Sequence, residues 1–141
     1  MDANSAIRML LWMLFLHSFA DYHLQGCLAD MKQYEWWLKK AGEMGLDRIP
    51  PKYRRDYIAA LVAHAFEWAF LIMLDPMLHG LFRRMGLVLL MVVINTAIHA
   101  VVDDLKANRH SISLVEDQLI HVVQIAITWV LSLAAILFLP Q

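Results

Sequence analysis

Apolar residues fall into four runs along the chain, Ala6 to about Gln25, Tyr57 to His79, Gly86 to Leu105 and Val115 to Leu139. At about 1.5 Å rise per residue, a helix of roughly 20 residues crosses a hydrocarbon core about 30 Å thick. Each run has that length. The stretches between them are polar: residues 26–56, a tight turn at 80–85 with Arg83 and Arg84, and a short turn at 106–114. Pro50 and Pro51 break the chain before the second run. Inside the first connection, MKQYEWWLKK within residues 31–41 predicts a short helix lying at the membrane surface. Trp36 and Trp37 would sit at headgroup depth with the lysines outward, or the helix is simply solvated. The expected fold is all-α: an integral membrane four-helix bundle with an interfacial amphipathic helix in the first cytoplasmic connection. It forms one domain over 1–141, with helices at 6–25, 57–79, 86–105 and 115–139.

Composition agrees with that pattern. The chain is 60% hydrophobic and 18% charged, with a mean hydropathy of +0.52; soluble domains are typically about 45–50% apolar and about 25% charged. A net charge of −1, with no basic stripe and no zinc-finger spacing, excludes a nucleic-acid binder. Cys27 stands alone, so no intramolecular disulfide forms. The start, MDANSAIRML, has neither a basic stretch nor an A-x-A cleavage site, so the first run is expected to stay as an insertion signal. Of twelve basic residues, nine lie in the first and third connections, against only Arg8, Arg83 and Arg84 on the other side. The positive-inside rule therefore puts both connections in the cytoplasm and both termini outside.

The chemistry is where the runs are not apolar. His17 and Asp21, His99 and Asp103, and Asp117 and His121 each stand four residues apart, which places each pair on one helix face. His64 and Glu67 interrupt the second run. Ionisable groups inside membrane helices are costly and usually functional. With the topology above, all fall within roughly 15 Å of the cytoplasmic face. The outer halves carry only Thr96, Gln124, Thr128 and Ser132, which argues against a conduit running across the membrane.

Imidazole nitrogens and carboxylate oxygens together suit zinc first, then manganese or iron. Bundles build such sites from inward-facing His and carboxylate side chains. His17, Asp21, His64, His99, Asp103, Asp117 and His121 are the candidate ligands for one or two divalent ions, or the groups that orient those ligands. Buried His–Asp pairs that merely lock helices together are the competing reading. Lys106, three residues after Asp103, is placed either to pair with that carboxylate or to hold an anionic headgroup.

The set His17-x-x-x-Asp21-x-x-Leu24-Gln25, His64, His99-x-x-x-Asp103-x-x-Lys106 and Asp117-Gln118-x-x-His121 resembles the small polytopic membrane proteins grouped as domain of unknown function 3307. The likeness covers nearly the whole chain and fits least well over residues 26–56. It implies a four-helix protein of the bacterial or bacteriophage inner membrane, with no established activity. As an enzyme, the chain would perform metal-assisted hydrolysis of a lipid or other headgroup-level ester. Glu67 would be the general base, and Gln25, Lys106 and Gln118 would orient an anionic substrate. The alternative is a non-catalytic membrane module, perturbing a host membrane process if phage-encoded. Its partner would be membrane lipid, a protein docked on residues 31–41, or a second copy in a homodimer.

Overall fold

The computed structural model describes residues 1–138, and those residues form helices and turns with no strand. Leu139, the last position of the expected fourth segment, lies outside the described residues. The long elements are α1 (Ala3–Phe19), α4 (Asp56–Leu78), α5 (Met85–Ala107) and α6 (Leu114–Phe138). Between α1 and α4 come two short helices, α2 (Leu28–Met31) and α3 (Tyr34–Glu43). Three helical segments, Pro51–Leu78, Met85–Ala107 and Leu114–Phe138, are long and apolar enough to cross a membrane. α1 has 17 residues and runs on into a π-helical turn at Ala20–Leu24, so this first helical segment does not end at Phe19.

Local chemistry sets the ends. Asp2 caps α1 by accepting from the Ser5 amide at 2.8 Å. Ser113 and Glu116 form a reciprocal capping box on α6: the Ser113 amide donates to Glu116 Oε2 at 2.7 Å, and the Glu116 amide to Ser113 Oγ at 3.3 Å. The turn after α4 passes through Gly80 at φ 122°, a conformation that side chains other than hydrogen disfavour.

α4 is the spine, pairing most extensively with α5 and next with α1. Its buried positions, Ala60, Leu61, His64, Ala65, Trp68, Ala69, Ile72 and Met73, recur at helical spacing. The opposite face, with Val62, Phe66 and Phe70, is exposed and equally apolar, as a helix needs when its solvent is hydrocarbon. Away from the helix ends that meet at α4's start, the interior is mostly apolar, with Met9, Met13, Ile72, Met73, Val88 and Ala135, and the polar side chains buried there, Asn95, Gln124, Thr128 and Ser132, are uncharged.

The first connection folds against the other end. The Tyr34 amide donates to Asn108 Oδ1 at 2.7 Å, and Asn108 Nδ2 donates to the Lys32 carbonyl at 3.1 Å. Trp37 Nε1 donates to the Met31 carbonyl at 2.7 Å. These bonds tie the connection to the α5–α6 turn, and they carry Lys32 under the bundle.

Candidate metal centre

Four helices bring their polar residues to one level. α1 ends here, α4 and α6 begin here, and α5 ends here. His64, His99, Asp103, Asp117 and His121 lie within about 12 Å of their helix ends, counting 1.5 Å per residue. Asp21 enters from the π-helical turn; such wide turns are frequent at functional positions.

The side chains are buried, with His99, Asp117 and His121 at 0% exposure. His99 and His121 stack with ring centroids 4.0 Å apart, and His99 Nε2 lies 3.3 Å from His64 Nε2. Asp103 is central. Its Oδ2 stands 3.5 Å from His64 Nε2 and 3.8 Å from His99 Nε2, and its Oδ1 is 3.5 Å from His121 Nε2. Asp21 Oδ1 is 3.5 Å from His64 Nε2 and 3.8 Å from His99 Nε2. Asp117 Oδ1 is 3.4 Å from His121 Nε2.

These separations exceed ordinary hydrogen bonds of about 2.7–3.2 Å. The shorter of them, 3.3–3.5 Å, come close to ligand-to-ligand edges: tetrahedral bonds of about 2.0–2.1 Å imply edges of about 3.3–3.4 Å. Asp21 Oδ1, Asp117 Oδ1 and His121 Nε2 are buried and have no hydrogen-bond partner. Leaving such atoms unmatched is expensive, and a cation is what a carboxylate oxygen and an imidazole nitrogen would share. Three overlapping triads have the spacing to hold a metal ion: Asp21, His99 and His121; His64, His99 and Asp103; and Asp103, Asp117 and His121.

Six of the seven expected ligands thus belong to a triad, and His17 belongs to none. Its Nδ1 accepts from Trp68 Nε1 at 2.9 Å and lies 3.5 Å from Asp21 Oδ2. His17 is therefore a neighbour of Asp21, held by Trp68. Glu67 does not join the cluster. It is exposed on α4, off the buried stripe that carries His64, Ala65, Trp68 and Ala69. Trp68, four residues after His64 and on its face, occupies the place expected for Glu67, stacking on His99 at 4.2 Å.

The expected substrate-orienting groups are engaged with the cluster. Lys106 Nζ donates to Asp117 Oδ2 at 2.6 Å rather than to Asp103. Gln118 Nε2 donates to Asp117 Oδ2 at 3.1 Å and to Asp21 Oδ2 at 3.3 Å. Gln25 Nε2 donates to the Asp21 carbonyl at 2.5 Å. The lysine that reaches Asp103 is Lys32, buried, with Nζ 2.5 Å from Oδ2. Nothing in a lysine-rich polar stretch distinguishes it from its solvated neighbours, and only the fold of the connection selects it. Trp68 had a readable signal, the spacing of four from His64. Among the remaining histidines, His23 is exposed and packs on Phe19, and His79 sits 3.3 Å from Asp75 Oδ2 at the far end of α4.

Three carboxylates thus face two ammonium groups and four imidazoles. The set can bind a divalent cation, or hold itself together through the lysines. No family model, curated protein or solved structure matches the chain.

Proposed function

We propose that this is a multi-pass membrane protein whose Asp21, His64, His99, Asp103, Asp117 and His121 hold one or two divalent ions, zinc foremost, and hydrolyse a headgroup-level lipid ester. The observation that carries the reading is the set of buried ligand atoms without a hydrogen bond, Asp21 Oδ1, Asp117 Oδ1 and His121 Nε2, inside overlapping triads. A divalent ion supplies Lewis acidity toward an ester or phosphoester oxygen. Lys106, part-exposed at the end of α5, provides positive charge for an anionic headgroup. The charge asymmetry of the loops supports placing this end of the bundle at the cytoplasmic face. α1 with its π-helical extension serves as the fourth span.

A second reading has its own support. Lys32 on Asp103 and Lys106 on Asp117 already compensate two of the three carboxylates. A cluster so balanced also serves as an ionic lock in a non-catalytic module that engages a partner through residues 31–41.

Elemental analysis of protein purified in mild detergent without a metal-affinity tag separates the two, alongside the double variant His99→Ala, His121→Ala. One or two equivalents of metal, lost in the variant, are expected. Native protein free of stoichiometric metal leaves the ionic lock.

A further inference from the structure

The three triads cannot all be filled at once. An imidazole that binds a divalent ion is neutral and has one lone pair to give, so each histidine serves one ion. His121 belongs to two triads, one with Asp21 and His99 and one with Asp103 and Asp117. His99 belongs to the first of these and to the triad with His64 and Asp103. Two triads without a common histidine remain: His64, His99 and Asp103, and Asp103, Asp117 and His121. They share the Asp103 carboxylate, which has an oxygen for each. Its Oδ1 stands 3.5 Å from His121 Nε2, and its Oδ2 stands 3.5 Å from His64 Nε2 and 3.8 Å from His99 Nε2. Two ions would therefore lie on either side of Asp103, as in two-metal sites with ions about 3.5–4 Å apart.

The two sides differ in what they already hold. On one side Asp117 Oδ1 and His121 Nε2, 3.4 Å apart and buried, have no hydrogen bond. On the other, His64 Nε2 and His99 Nε2 share a hydrogen bond at 3.3 Å, and Asp103 Oδ2 accepts from Lys32 Nζ at 2.5 Å. Lys32 is 5% exposed. Asn108 holds it in place, donating to the Lys32 carbonyl and accepting from the Tyr34 amide. A dication on the same oxygen would meet that ammonium at close range, in a buried site where solvent and salt screen the repulsion little.

We propose that the site holds one divalent ion, at Asp103 Oδ1, Asp117 Oδ1 and His121 Nε2, and that Lys32 supplies the cation of the other side and keeps a second ion out. This rests on the metal reading above and fixes the ion count which that reading leaves open. Lys32 then regulates the site without being a ligand, and the first connection, latched by Asn108, sets how many ions enter. Lys106 acts differently. It and Gln118 both donate to Asp117 Oδ2, which leaves Oδ1 to face His121. A protonated His121 between the two carboxylates is the rival occupant of that side, and it predicts no metal.

The test loads full-length protein in mild detergent with excess zinc, removes unbound zinc by gel filtration and counts the bound ions by elemental analysis. One equivalent is expected in native protein and two in Lys32→Met. His64→Ala removes a ligand of the closed side alone. It should leave otherwise native protein at one equivalent and return Lys32→Met to one. Lys106→Met should stay at one. Two equivalents in native protein, one in a folded Lys32→Met, or loss of the ion with His64→Ala overturns the proposal and leaves the metal reading intact. The His64→Ala measurement needs no change at Lys32, so it decides even where Lys32→Met fails to fold. No zinc in native protein defeats the metal reading and this proposal together.

Discussion

The two ends of the bundle solve the same packing problem with different chemistry. At one end α1, α4, α5 and α6 meet through His64, His99, Asp103, Asp117 and His121, with Lys32 inserted from the connection. At the other they meet through Met9, Met13, Ile72, Met73, Val88 and Ala135. Both are wrapped in an apolar exterior. In a bilayer the apolar end gains little from hydrophobicity itself, since lipid tails are as apolar as the core, and it holds by packing. The polar end makes interactions that lipid cannot replace. Function and orientation should therefore reside there, while the apolar end should contribute stability alone.

Asp103 gives the largest test of that contrast. It is 2% exposed and approached by Lys32, His64, His99 and His121. Asp103→Leu, compared with native protein in the presence of chelator, should cost about 3–5 kcal/mol because it strands a buried ammonium. Adding Lys32→Met should restore most of that loss. Stability is read by denaturation in detergent. A small effect of Asp103→Leu, or no rescue by Lys32→Met, would mean that the polar end is not held by this pair.

Ile72→Ala probes the apolar end. Ile72 is fully buried in the apolar core, so the deletion should cost about 2–5 kcal/mol through the space it leaves. Metal content at the cluster should not change, as elemental analysis would report. Loss of metal with Ile72→Ala would show that the two ends are coupled, which would defeat the division of labour argued above.

The contrast also explains what the sequence could and could not reveal. Four apolar runs separated by polar turns announced an all-helical chain, and three of the runs are membrane-capable helices. The pairs Asp103–His99 and Asp117–His121 were legible because spacing by four fixes a shared face without knowledge of the neighbours. Which face of an apolar helix points inward was not legible, because lipid and core select the same residues. Spacing alone therefore puts Glu67 beside His64 at the site, whereas α4 buries Trp68 and leaves Glu67 exposed. Lys32 was invisible for a different reason. Its role depends on Asn108 anchoring the connection from the far side of the chain, at Tyr34 and at the Lys32 carbonyl, and no local pattern encodes a contact across more than 70 residues.

Trp68 sharpens the comparison at its boundary, where polar end meets apolar core. Its ring belongs to the hydrophobic cluster with Ile72 and Met73, yet its Nε1 donates to His17 and its face stacks on His99. Trp68→Phe keeps most of the ring and removes the donor. It should cost about 1–3 kcal/mol, the penalty for a buried acceptor left without its partner. Because Trp68 is the tryptophan in contact with His17, His99 and His121, adding zinc to metal-stripped native protein should change tryptophan emission, and the variant should lose that response while binding the same number of ions. If Trp68→Phe instead gains an equivalent of metal, then the indole N–H had been blocking His17 Nδ1, and His17 would return to the ligand set from which the geometry removes it.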